Sequence, residues 1–216
     1  MHPVDRYLSG DGELSWDFTD TKLRDQAHEL AKEKPEEALQ LVEQITDSWF
    51  GTQALASIGY HADASIATQI LQRAVALSGN ASDPYKRAAV LAWPMSAYFE
   101  RGDKASGRAT LRNGVERLDA IKHPASKSEA IRHLVESALP HVPLSELAML
   151  LDALIAAVES NHWRAKLNSL RVAQLIGHTH PSDARQFAER IPDEKSRAKA
   201  LRRIDVCDFT QPRTYF

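Results

Sequence analysis

Apolar residues recur at intervals of three and four along almost the whole chain after residue 20. Ala38, Leu41, Val42 and Ile45 form one such series, and Leu147, Leu150, Leu151, Leu154, Ile155 and Val158 form another. This spacing lays side chains along one face of an α-helix. No segment alternates with a period of two over a useful length, so no strands are expected. Prolines and glycines punctuate the pattern at Pro35, Gly79, Pro84, Gly102, Pro124, Pro140, Pro143, Gly177, Pro181 and Pro192. Asp83 before Pro84, and Ser182 or Asp183 after Pro181, supply a capping side chain or a preset proline for a first turn. The chain reads as about ten helices with short connections.

Two stretches repeat. PEEALQLVEQITDSWFGTQALASI (Pro35 to Ile58) and PSDARQFAERIPDEKSRAKALRRI (Pro181 to Ile204) share nine of 24 positions without a gap. Taking Asp47 and Asp193 as anchors, intermediate copies are found at Asp83, His123 and His162. Eight residues on from each anchor stands Leu55, Leu91, Ile131, Leu170 or Leu201, and nine residues before it Ala38, Ala74, Gly114, Ala153 or Ala184. A small residue at a fixed place lets a neighbouring backbone approach, and the aliphatic beside it fills the groove between helices. Each unit is then a helical hairpin that buries its apolar face only by stacking on the next.

The expected fold is all-α: an α-α superhelix of about five helical hairpins, at about 35–61, 62–100, 103–140, 143–177 and 181–206, with the polar segment from Thr19 to Lys34 as an N-terminal capping helix. An N-terminal arm, 1–18, and a C-terminal tail, 207–216, frame this helical-repeat domain, 19–206. The segment PEEALQLVEQI followed by ALASIGYHA resembles the tetratricopeptide family's second helix running into the next repeat's first. Glu37-Ala38-Leu39 and Ile58-Gly59 stand at the family's small-residue and Leu-Gly places. A HEAT-like or other α-α superhelix fits nearly as well. What the resemblance implies is a scaffold for protein binding.

Composition narrows the function more by exclusion. The 216 residues are 43% hydrophobic and 26% charged with a net charge of −2, so no overall field recommends nucleic acid or an anionic membrane. The balance is uneven: residues 1–62 hold 12 Asp/Glu against 5 Lys/Arg, and the remainder is mildly basic. Cys207 is the only cysteine, which leaves no intrachain disulfide and no cysteine-based zinc site and fits a reducing compartment. The amino-terminal segment lacks the basic and apolar regions of a secretory signal. The most apolar stretch, Leu144 to Val158, is interrupted by Glu146 and Asp152 and is too short to span a bilayer. A cytoplasmic protein with no membrane association is the plain expectation.

No motif carries catalysis, and no cofactor or metal is called for. His178 and His180 are the tightest pair among nine histidines, with His133, His141 and His162 alone on helices. A zinc site needs three or four converging ligands, so solvated or capping histidines are expected instead. Glu36-Glu37 and Asp193-Glu194 fall at helix starts, where the macrodipole favours negative charge. Asp205 and Asp208 beside Cys207 raise a thiol pKa and do not activate it. The basic cluster Arg185, Arg190, Lys195, Arg197, Lys199, Arg202 and Arg203 is interleaved with acids and has no aromatic platform, so a solvated helix face is expected before a nucleic-acid site.

The expected function is therefore a non-enzymatic protein-protein interaction module presenting a curved groove to a peptide or protein partner. Trp49, Tyr60, Arg87, Trp93, Tyr98 and Arg101 are the candidate partner-binding residues. Trp93-Pro94 is expected to kink its helix, and a competing reading places Trp93 and Phe99 in the hairpin core. The alternatives are a nucleic-acid-binding α-solenoid using the basic C-terminal half, or a toxin-neutralising or phage-associated binding protein. The tails, with Trp16 and Phe18 in one and Phe209, Tyr215 and Phe216 in the other, are expected to dock on their own fold or on a partner. In the groove such a tail would be autoinhibitory or a dimer contact. The oligomeric state stays open.

Overall fold

A computed structural model describes residues 19–216; the expected arm 1–18, with Trp16 and Phe18, lies outside the described residues. Among the described residues the fold is all-α, with no strands and the helices in the order α1 (Thr19–Ala31), α2 (Pro35–Val42), α3 (Ser48–His61), α4 (Ala64–Ser78), α5 (Pro84–Ala89), α6 (Ala92–Glu100), α7 (Lys104–Arg117), α8 (Pro124–Ala138), α9 (Ala148–Glu159), α10 (Trp163–Thr179), α11 (Pro181–Glu189) and α12 (Glu194–Asp205). Short 3-10 turns, Leu118–Ala120 and Leu144–Leu147, precede α8 and α9.

Local chemistry starts these helices. Prolines occupy the first turns of α2, α5, α8 and α11, where a missing N–H costs nothing. Asp47, Asp83, Asp103 and Asp193 accept hydrogen bonds from the backbone N–H groups of Trp49, Lys86, Ser106 and Ser196, and His162 does the same for Arg164 through Nδ1. All five residues that anchor the sequence alignment, Asp47, Asp83, His123, His162 and Asp193, are N-caps. The start at Pro181 departs from expectation. His178 and Thr179 still belong to α10, and His180 alone separates it from α11, so neither Ser182 nor Asp183 is the cap.

Pro94 does more than kink its helix. It has no N–H to offer the Val90 carbonyl, which accepts from Trp93 instead at 3.2 Å, and the helix divides at Val90-Leu91 into α5 and α6.

The helices pack as an alternating ladder. α1 contacts α3, α3 contacts α6, α6 contacts α8, α8 contacts α10, and α10 contacts α12. α2, α4, α7, α9 and α11 fill the steps between them, α2 against α1 and α3, α4 against α3 and α6, α9 against α8 and α10. Leu91, Met95, Ile131, Leu134, Leu147, Leu150, Leu154 and Leu175 form the centre of the largest core and are fully buried. Close approach depends on small residues: a Cβ on Gly59 would stand 2.6 Å from Leu71 Cδ2, so any larger residue there would force the buried Leu71 side chain to move. Ala38, Ala74 and Ala184 are fully buried and Gly114 sits against Leu134, whereas Ala153 is half-exposed.

Every residue of α6 from Ala92 to Phe99 is buried, as is every residue of α3 from Gly51 to Gly59. α3 is packed against α1, α2, α4 and α6, and α6 against α3, α4, α7 and α8, and Tyr215 on Trp93 and Phe216 on Tyr60 add to their cover.

Candidate binding groove on the inner helices

The tail leaves α12 through a reversal at Cys207. Its N–H bonds to the Ile204 carbonyl at 3.0 Å and that of Asp208 to the Arg203 carbonyl at 2.8 Å, with Cys207 at φ 53°. This is a Schellman-type end in which cysteine stands at the place glycine usually takes. From there residues 208–216 cross α10, α8, α6 and α3 in turn.

On α10, Gln174 binds the tail at two points. Its Nε2 donates to the Asp208 carbonyl at 2.9 Å, and its backbone carbonyl accepts from Thr210 N at 3.3 Å. Gly177 of the same helix lies directly under the Phe209 ring, where any side chain would overlap it.

On α8, Glu129, Arg132, His133 and Glu136 fall at i, i+3, i+4 and i+7 and so share one face. Arg132 donates to Glu129 at 2.6 Å and to Glu136 at 2.7 Å, and Glu136 then accepts the Arg213 backbone N–H at 3.2 Å. Burial is the largest single influence and works against the Glu129 and Arg132 charges alike, but the hydrogen bond between them, their mutual attraction and the neighbouring groups together outweigh it. The carboxyl is held below and the guanidinium above its usual range. His133 is pulled down to about 4, chiefly by burial and then by the Arg132 charge, and is neutral at pH 7. Its Nε2 lies 3.2 Å from Arg132 Nη2, while Nδ1 is buried without a hydrogen-bond partner.

At α6 and α3 the groove is aromatic. Trp93 meets Trp49 edge-on at 5.6 Å, Tyr215 edge-on at 5.3 Å and the His133 ring at 5.9 Å, and the Arg213 guanidinium lies over Trp93 at 5.2 Å. Tyr215 is buried, its hydroxyl 3.4 Å from the His133 carbonyl, and burial pushes its pKa well above the usual phenol range. Phe216 stacks on Tyr60 at 4.6 Å with an interplanar angle of 16°.

The tail does not fill the groove. Cavities of about 410 Å³ beside Ser96, Glu100 and His178, about 230 Å³ beside Arg24, His28 and Gln53, and about 380 Å³ beside Arg171 and Arg203 flank it. Asp208, Thr210, Gln211, Arg213 and Thr214 remain exposed, whereas Phe209, Pro212, Tyr215 and Phe216 are partly or fully buried.

Of the six residues singled out from sequence, Trp49, Tyr60 and Trp93 come together here. Tyr98 is buried next to Leu71 and lines a separate cavity with Gln72, Val75 and Ala109, between α4 and α7. Its pKa is pushed up to about 12, mainly by burial. Arg101 donates to the Tyr60 and Ala62 carbonyls at 2.6 and 2.9 Å and so closes the C-terminal end of α3. Arg87 donates to the Ala81 carbonyl at 2.8 Å and ties down the turn before α5. These two cations are used inside the fold. Phe99 is core, its ring against Gly107 and stacked on His141 at 5.0 Å.

The groove residues that sequence reasoning passed over are Glu129, Arg132, His133, Glu136, Gln174 and Gly177. Glu129, Arg132, His133 and Glu136 show in the sequence only as a polar stripe on α8, which looks the same as a solvated face, and Gln174 and Gly177 lie on α10 with no such pattern. Three of the seven cations of the basic C-terminal cluster pair with acids, Arg185 with Asp205, Arg190 with Asp152 and Arg203 with Asp208, and Arg197 donates to the Ile191 carbonyl. Among the described residues no group of three or more His, Cys, Asp or Glu stands close enough to hold a metal ion, and no helix is long and apolar enough to cross a membrane. Comparison with protein-family models, with curated proteins and with solved structures gives no match for this chain.

Proposed function

We propose that the chain is a non-enzymatic protein-interaction module, an α-α superhelix of the tetratricopeptide-like or HEAT-like kind capped by α1, whose inner helices bind an extended protein segment. The observation that carries this reading is the groove's present content: nine residues of irregular backbone, held by hydrogen bonds from α10 and α8 and by aromatic contacts on α6 and α3. A surface that orders one extended segment through a few anchors is built to order another. The six helix-terminal or groove positions chosen from sequence reduce to Trp49, Tyr60 and Trp93 as binding residues.

Nucleic acid as partner has less support. Four of the seven C-terminal cations are engaged within the fold, which leaves Lys195, Lys199 and Arg202 as exposed members of the stripe. A cytoplasmic location is part of the proposal and rests on the single cysteine.

Site-specific photo-crosslinking in native lysate tests the groove. A crosslinker at Glu100 or His178 should capture proteins that one at Met149, which is 69% exposed on α9, does not. Identical adducts from both faces would defeat the assignment.

A further inference from the structure

We propose that the groove recognises an extended partner segment in which an arginine is followed, one residue on, by two consecutive aromatic side chains, and that residues 208–216 are the resident copy such a partner displaces. This rests on the groove being a protein-binding surface and specifies its ligand.

The chemistry of recognition is read from how the resident is held. Its backbone contributes little: two N–H donors, from Thr210 and Arg213, at 3.3 and 3.2 Å, and one carbonyl, that of Asp208. Gln211 and Thr214 are exposed spacers. The contact is made by side chains. Arg213 lies over both Trp93 and Tyr215, at 5.2 and 5.5 Å. Tyr215 enters a buried site between Trp93 and the His133 carbonyl, and Phe216 covers Tyr60. The ring contacts of Arg213, Tyr215 and Phe216 leave the pattern Arg-x-aromatic-aromatic as the part a partner must reproduce. The floor supports this: Glu136 accepts the backbone N–H at the arginine position, and Trp49 and Trp93 form the aromatic wall.

Two features make the resident replaceable. It exposes five of its nine residues, and cavities lie along it on both sides, so the groove is wider than its occupant. It also reaches the groove through the short reversal at Cys207, which keeps it at an effective concentration on the order of millimolar. Against a segment with an intrinsic affinity of roughly 10 to 100 μM, that tether lowers the apparent affinity of a free competitor about 10- to 100-fold. The tail sets a threshold that only a partner carrying the same anchors, in higher avidity, passes.

The test uses the full chain and a fluorescein-labelled nine-residue peptide, Asp-Phe-Thr-Gln-Pro-Arg-Thr-Tyr-Phe, followed by polarisation. On the Tyr215→Ala/Phe216→Ala chain the peptide should bind saturably, at least about 10-fold tighter than on the unaltered chain. A peptide with both aromatics replaced by alanine should lose at least about 10-fold. Should the double variant melt at markedly lower temperature, Phe216→Ala alone gives the same ordering with a smaller gain. Equal binding of the two peptides would overturn the recognition pattern while leaving an unspecific groove standing. Equal binding to altered and unaltered chains would overturn the tail as resident competitor. No binding of either peptide to a folded chain would remove the proposed function as well. A sedimenting dimer of the unaltered chain that the peptide splits would place the tail in a second copy and overturn its displacement within one.

Discussion

Gly177 and Phe209 meet so closely that a methyl group on Gly177 would overlap the Phe209 ring. Inside an isolated helix, Gly→Ala gains up to about 1 kcal/mol. Here the same change drives the phenyl ring, and the tail with it, off α10. Gly177→Ala is expected to destabilise the chain by about 1 to 3 kcal/mol. In a Phe209→Ala background it should be neutral or stabilising. A double-mutant cycle by urea denaturation measures the coupling, and additive effects would place the ring elsewhere.

Tyr215 separates packing from hydrogen bonding. The ring is buried against Trp93, but the hydroxyl contact to the His133 carbonyl is long at 3.4 Å. Tyr215→Phe should cost less than about 1 kcal/mol, and Tyr215→Ala about 3 kcal/mol or the whole docking energy of the tail if that is smaller. Thermal melts give the stability, and Trp fluorescence reports whether Trp93 becomes wet.

His133 sets a pH dependence. Its folded pKa of about 4 lies below the 6.5 of an unperturbed imidazole, because burial and then the Arg132 charge disfavour the proton, with Glu129 opposing. The unfolded chain takes up a proton near pH 6.5 while the fold does not. Stability present at pH 7 is therefore lost as pH falls from about 6.5 towards 4, by at most about 3 kcal/mol. Other histidines, including His28, His61 and His141, also have lowered values and the same sign. The difference between the unaltered chain and His133→Gln isolates this site: the variant's profile should be flatter over that window, and parallel profiles would refute the assignment.

Arg101 should behave as a structural residue. Its two hydrogen bonds close the end of α3, so Arg101→Ala is expected to cost about 1.5 to 3 kcal/mol in stability. At temperatures where the variant is folded, peptide affinity should stay within about threefold. A selective loss of binding at full stability would return Arg101 to the groove.

Much of the helical framework is legible in the sequence because its causes are local. The caps Asp47, Asp83, His162 and Asp193 and the first-turn prolines act within three residues, and periodicity reports burial one helix at a time. The groove was legible only in its aromatic end. Trp49, Tyr60 and Trp93 stand out by type, but the polar floor does not. Glu136 and Arg213 are 77 residues apart, and His133 and Tyr215 are 82 apart. A polar stripe that awaits a distant segment has the same period as one that faces water. Arg87 and Arg101 read as partner-binding candidates for the complementary reason: nothing in a linear sequence reveals that the Ala81, Tyr60 and Ala62 carbonyls will accept from them.

The tail's course also alters how such a molecule comes apart. In a row where each helix touches only its neighbours, either extremity can fray without disturbing the middle. Phe216 on Tyr60 links the last residues to α3, across the helices of three intervening steps, and closes a loop of more than a hundred and fifty residues. A linear stack becomes a ring of contacts, and loosening at α3 and at α12 becomes one event. Release of nine residues would then be felt as a loss of cooperativity along the entire row, which makes occupancy of the groove a mechanical state of the whole molecule.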